Sequence, residues 1–450
     1  MWNRRNGKSF VVDTPAVTKE KLSRDVVFFA FIAGLMRCGQ NVTLTTYPLL
    51  GATLLKMQPS FLGLVASIGG FSTAATMGAI SVRLRKLQVA VGLAVGLLFL
   101  ALSGALFGIA KGGVLFVVAS LIGGVGGGLS FPSLTTLTSW SAGNRRSLAL
   151  AIFSVALAVS LLIGPLIEAL LLVSLSHSLR GALFIFSTIL FMAALFSSFL
   201  MWKRRKEFAT HLEREEPVAV LEDSPEPVEY LSSKDLPKMD SVELATRSNS
   251  FLSRWSRHGI ASSALRYSII NQVAYMVPFI GVVSFGGLYI RSSNHIALSS
   301  VVLLLSIFYG TSLILRLTVA KLAPLSNPAN WCRFGIATSL VGLIVFASLP
   351  GMAGIILGLM LLGIPHGILY PVTLGILAEV TPAKDLAKQN SRLAAVANTV
   401  PLVVPVVFGQ MVRYWGFKES YLALSVPVLI LLIMGWGRGA SGIEIRHRRN

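Results

Sequence analysis

Apolar residues fall in long runs along this chain, separated by short polar joints. Each run reaches about 20 residues, enough to cross ~30 Å of hydrocarbon as a helix. Hydropathy predicts about twelve such spans, near residues 26–50, 61–82, 87–109, 113–138, 148–173, 180–202, 267–290, 297–321, 332–349, 351–378, 391–412 and 420–437. The expected class is an all-α membrane protein.

One joint differs from the others. Residues 203–262, beginning "KRRKEFATHLEREEPVAVLEDSPEPVEYLSSKDLPKMD", are basic, then acidic, with prolines and no apolar helical face. They predict a cytoplasmic linker without a packed core. Its end, "FLSRWSRHGIASSAL", fits either a short interfacial helix or an ordinary lead-in to the seventh span. The expected organisation is therefore a cytoplasmic segment 1–25, a six-helix bundle 26–202, the linker 203–262, a second bundle 263–437 and a basic cytoplasmic tail 438–450.

The two bundles repeat each other. Gly124, Gly128, Phe131 and Pro132 in span four match Gly363, Gly367, Tyr370 and Pro371 in span ten. Arg146 and Gly164 find counterparts in Arg392 and Gly409. Matches in one order at nearly one offset predict a duplicated unit, giving two pseudo-symmetric six-helix bundles about an axis along the membrane normal.

Charge refines this picture. Only 13% of the 450 residues are charged, about half the share usual in soluble domains (~25%). A formal charge of +20 would suggest nucleic acid in a soluble protein, but the cations crowd alternate connections. Arg4, Arg5, Arg83, Arg85, Arg145, Arg146, the run Lys203–Arg204–Arg205–Lys206, Lys384, Lys388 and Arg448 lie on one side. The other side holds few, such as Lys56, Lys111, Arg180 and Arg291. The positive-inside rule then expects both termini in the cytoplasm of a multi-pass plasma-membrane protein, acting as a monomer. Nucleic-acid binding is not expected. No cleavable signal peptide is expected, because residues 1–25 are polar and the next run is long enough to span. Cys38 and Cys332 suggest neither a disulfide framework nor a metal site.

With six plus six spans, the central linker and these recurring segments, the chain resembles the major facilitator superfamily of secondary transporters. "GAISVRLRKLQ" at 78–88 stands where that family has its basic loop between spans two and three, keeping Gly78 and Arg83 but carrying Val82 in place of aspartate. The second-half equivalent keeps Arg316, with Pro324 for aspartate. "SLLIGPLIEAL" resembles the span-five Gly-Pro motif, on Gly164 and Pro165, with Glu168 where glycine is usual. That motif implies exchange or export. Ser120 stands where proton-coupled members often have arginine.

Candidate functional residues follow from depth. Arg37 lies about eleven residues into span one, roughly 17 Å deep, and a charge there needs a wet cavity or a partner. Gly34, Arg37, Asn41, Thr45 and Pro48 share one helical face, the face that the resemblance turns toward a central cavity. Arg37 either serves substrate and gating or packs against carbonyls. Asn271, Gln272 and Tyr275 in span seven are cavity liners or interhelical bonding groups. His366, near mid-depth of span ten, either titrates or donates to a carbonyl. Arg316 either gates or snorkels to the interface it lies near. Glu168, near the outer end of span five, is a coupling candidate at a depth that permits water contact. With Arg83, Gly164 and Pro165 these complete the coupling and gating set.

No Ser/His/Asp, metal-ligand or nucleotide-binding arrangement has convincing spacing, so neither enzyme activity nor a cofactor is expected. "GGVGGGL" has no preceding strand and no following lysine, so its glycines predict helix packing and hinge motion. The expected function is secondary transport of a small solute by alternating access, with protons or a counter-solute as possible co-substrates. Two embedded arginines against one glutamate lean toward an anionic or hydroxyl-rich molecule. Export of hydrophobic compounds, or a non-transporting receptor or scaffold on the same fold, are the alternatives.

Overall fold

The computed structural model describes residues 24–81, 86–142, 146–176, 178–203, 264–322, 327–381 and 383–437. The predicted linker and Arg83 lie outside the described residues. Twelve helices are long and apolar enough to cross a membrane among those described. They are α1 Arg24–Thr53, α2 Pro59–Ser81, α3 Lys86–Ile109, α4 Gly113–Trp140, α5 Arg146–Ser174 and α6 Leu179–Lys203. The second set is α7 Ala264–Asn294, α8 Leu298–Leu322, α9 Pro328–Ser348, α10 Gly351–Val380, α11 Ala383–Trp415 and α12 Phe417–Gly437.

In hydrocarbon the backbone must satisfy itself, which selects helices. Hydroxyl groups follow the same logic, bonding back one turn, as Thr43 does to the Gly39 carbonyl at 2.8 Å and Thr138 to that of Leu134 at 2.7 Å. Asn327 caps α9 by accepting from the Ala329 N–H at 2.9 Å, with Pro328 at the first turn. One residue, Gly416, joins α11 to α12 at φ 88°, a conformation that favours glycine.

The internal repeat extends to contacts. A Cβ on Gly124 would lie 2.5 Å from the Gly69 carbonyl oxygen, and one on Gly128 would lie 2.9 Å from that of Thr73. Their counterparts Gly363 and Gly367 stand equally close, at 2.5 Å, to the Phe308 and Ser312 oxygens. All four pairs keep one constant offset along the chain. Glycine thus lets α4 seat on α2, and α10 on α8, backbone to backbone. Gly164 and Gly409 break the pattern. Gly164 packs on Cys38 of α1 within its own half, while Gly409 faces Pro59 in the other half.

The halves meet along two seams. Along α2 and α11, a Cβ on Gly63 would lie 2.2 Å from the Pro405 oxygen, and one on Gly409 2.6 Å from the Pro59 oxygen. Ser67 Oγ there accepts the Val406 N–H at 3.1 Å. Along α5 and α8, a Cβ on Gly310 would meet only Leu162, at 3.6 Å. Toward the end of the bundle away from the termini, Thr45–Gly51 of α1 are all buried, as are Gly281–Ile290 of α7 apart from Ser284. Leu49 packs there against Gly287. That end is sealed.

Candidate substrate site between the halves

Helix α1 carries polar residues in layers, one turn apart. Arg37 comes first from the terminal end, then Asn41, then Thr45 and Thr46, then the apolar seal at Leu49 and Leu50. Helix α8 runs the opposite way and brings Tyr309, Ser312 and Arg316 to the same levels, at spacings of one turn.

In the layer nearest the termini, Arg37 and Arg316 lie close enough for their charges to interact. One belongs to each half. Both are half-buried, and neither guanidinium has a hydrogen bond or ion pair among the described residues. The Nε of Arg316 is buried without a partner. Of the two readings of Arg316, snorkelling to the interface fits its position less well, since it lies beside the charge of Arg37 and near Tyr275 and Tyr370. The side chain points inward because α8 packs into the bundle on that face.

His366 is buried beside this pair. Its Nδ1 bonds Ser312 Oγ at 2.6 Å, and its ring stacks on Phe279 with centroids 4.4 Å apart. Phe308 and Tyr275 flank it at 5.3 and 5.8 Å. Gln272 Nε2 donates to Tyr275 Oη at 2.9 Å, leaving the buried Gln272 Oε1 unpartnered. Asn271 does not join this group; its Nδ2 donates back to the Tyr267 carbonyl at 2.8 Å.

The next layer joins the halves. Asn41 Oδ1 accepts from the Tyr309 hydroxyl at 2.7 Å, and Asn41 Nδ2 donates to the Leu161 carbonyl at 3.4 Å. Beyond it Glu168 is fully buried. Thr46 donates to its Oε1, and Thr45 Oγ lies 3.3 Å from Oε2. The expected water contact of Glu168 is therefore wrong for this conformation. Counting residues from a helix end measures depth along one axis, and α1 covers the carboxyl from the side. Gly164 and Pro165 share that buried face of α5.

Tyr309, Ser312, Phe279 and Phe308 were not anticipated. Their signal is present: Tyr309, Ser312 and Arg316 are spaced by 3 and 4, one face of α8. An aromatic residue in an apolar run nevertheless reads as core.

This architecture matches known proteins over nearly its full length. Solved structures with the same fold include the nucleoside transporter NupG, with TM-score 0.63, 13% identity, and coverage of 91% of this chain and 97% of that one. A peptide transporter POT in complex with sulfate gives TM-score 0.65, 13% identity, and coverage of 93% and 96%. A POT family transporter in complex with 5-aminolevulinic acid gives 0.65, 11%, and 92% and 95%. No curated protein sequence matches the chain. The sequence model described as Major Facilitator Superfamily matches residues 26–323 and again 280–439. Twelve apolar helices in two repeated halves, and that match across the chain, place this protein in the Major Facilitator Superfamily.

Proposed function

We propose that the chain carries a small organic anion, or a hydroxyl-rich solute, across the membrane by alternating access. The observation that supports this is the pair Arg37 and Arg316, one from each half, unpaired and within electrostatic reach. Two like charges inside a membrane protein are costly without water or counter-charge. A bound anion supplies the counter-charge, and it touches both halves at once. The free acceptor Gln272 Oε1 suits a hydroxyl or amine on the same ligand. Both termini and the linker are assigned to the cytoplasmic face by the cation asymmetry, so the sealed end faces outward.

A second reading has its own support. The rings of Phe279, Phe308 and Tyr275 around His366 suit a flat apolar compound, as a drug exporter requires. A non-transporting receptor is the third.

Flux into proteoliposomes separates them, with organic anions, sugars and lipophilic cations as probes. The anion reading expects saturable anion uptake that falls roughly 100-fold in Arg37→Gln and returns only partly in Arg37→Lys, which lacks the planar fork of donors. Uptake of lipophilic cations alone supports export, and no flux of any probe supports a receptor. Glu168 and His366 are the proton-coupling candidates. If Glu168 is the carrier, Glu168→Gln keeps solute exchange and loses accumulation driven by a pH gradient. Unchanged accumulation removes it from that role.

A further inference from the structure

Proline 165 removes a hydrogen bond from the middle of α5. Having no N–H, it cannot donate to the carbonyl one turn back, that of Leu161. Asn41 of α1 supplies the missing donor through Nδ2 at 3.4 Å. This bond orients the amide, because a side chain that spends its NH₂ on α5 turns its oxygen the other way. The oxygen then accepts the Tyr309 hydroxyl of α8 at 2.7 Å. Asn41 and Tyr309 are both buried. A break in one helix of the first half thus presents an acceptor to the second half.

The level of this bond matters. One turn toward the termini stands Arg37; two turns away along α8 stands Arg316; on the other side begins the buried stretch Thr45–Gly51. The bond lies at the floor of the site and the base of the seal. We infer that Tyr309 and Asn41 form a latch between the halves, set by the Pro165 break, which holds the sealed end shut until the site is loaded. Opening that end parts the halves at this level and breaks the Tyr309–Asn41 bond, exchanging it for water, which resists the motion by the net worth of one hydrogen bond. Tyr309 is also near enough to Arg37 to feel its charge, so an anion held there offers the hydroxyl a replacement acceptor. Tyr309 is a positioning residue in this scheme. The scheme rests on the transport reading, yet the latch itself is testable without a substrate.

Leu49→Cys places a reporter thiol in the seal, where the native side chain is buried against Gly287. The two native cysteines are buried. In purified protein without ligand, the rate of maleimide labelling at this position reports opening. Tyr309→Phe should raise it roughly three- to tenfold, the range expected for one hydrogen bond. Asn41→Ala should do the same, and the double variant should label no faster than the faster single. A control thiol, Leu97→Cys, within the core of the first half, should label at an unchanged rate. Ile290→Cys on the α7 side of the seal serves equally if Leu49→Cys does not fold. Parental labelling rates in Tyr309→Phe, additive effects in the double variant, or a matching rise at Leu97→Cys each overturn the latch. None of these outcomes depends on which solute is carried. Loss of anion flux in wild type would sink the transport reading and leave the labelling result standing.

Discussion

The pseudo-twofold axis exchanges the α2–α11 seam with the α8–α5 seam, so a perfect repeat would build both alike. It does not. In the first seam glycines bring backbones into direct contact, at Gly63 against Pro405 and Gly409 against Pro59. In the second, the contact at Gly310 is with a side chain, that of Leu162, at an ordinary van der Waals distance of 3.6 Å from a Cβ built there. Beside that second seam, a side-chain bond from Tyr309 to Asn41 ties the halves together. Close backbone contact has no slack, because a carbonyl cannot rotate out of the way. A side-chain bond can be made and unmade by turning one torsion. Under the transport reading proposed above, this difference gives one seam the role of pivot and makes the other the place where movement is permitted.

Three substitutions break or sharpen this contrast. Gly63→Ala should be the most damaging, because its methyl would fall 2.2 Å from a backbone oxygen. A loss of about 1–3 kcal/mol is expected for such overpacking, seen as a lower melting temperature in detergent. Ser67→Ala should cost less, about 1 kcal/mol, by removing the acceptor that Ser67 Oγ offers the Val406 N–H beside Pro405. Gly310→Ala should cost least, within about 0.5 kcal/mol, since its methyl meets only Leu162 at 3.6 Å. Equal damage from Gly63→Ala and Gly310→Ala would erase the distinction between pivot and movable seam.

Most of the architecture was legible in the sequence, and the exceptions share a cause. Hydropathy locates the membrane, and the helices end within a few residues of the predicted spans, except at the start of α11. That helix begins at Ala383 and the predicted span at 391, because "AKDLAKQNSRL" is polar and a hydropathy window registers apolar character, which a helix outside the bilayer lacks. The Gly124 and Gly363 repeat was visible because close packing demands one residue type at fixed intervals. Arg37, Asn41 and His366 were legible because polar atoms in apolar surroundings require a reason. Tyr309 was not, since a phenol in an apolar run satisfies every expectation for a core residue. The burial of Glu168 was hidden for a related reason: lateral cover comes from another helix, and no count along its own reveals it.

The length of α11 has a mechanical consequence. At 33 residues it measures about 50 Å, against ~30 Å of hydrocarbon. Set along the bilayer normal, it leaves some 20 Å for the headgroup layer or beyond. The same helix forms the tight seam with α2, so under the transport reading proposed above the turns before Pro401 extend the joint about which the halves would turn. On that reading, a load placed on the overhang, by a thicker bilayer or a bound soluble protein, would bear on the α2–α11 seam without entering the interior.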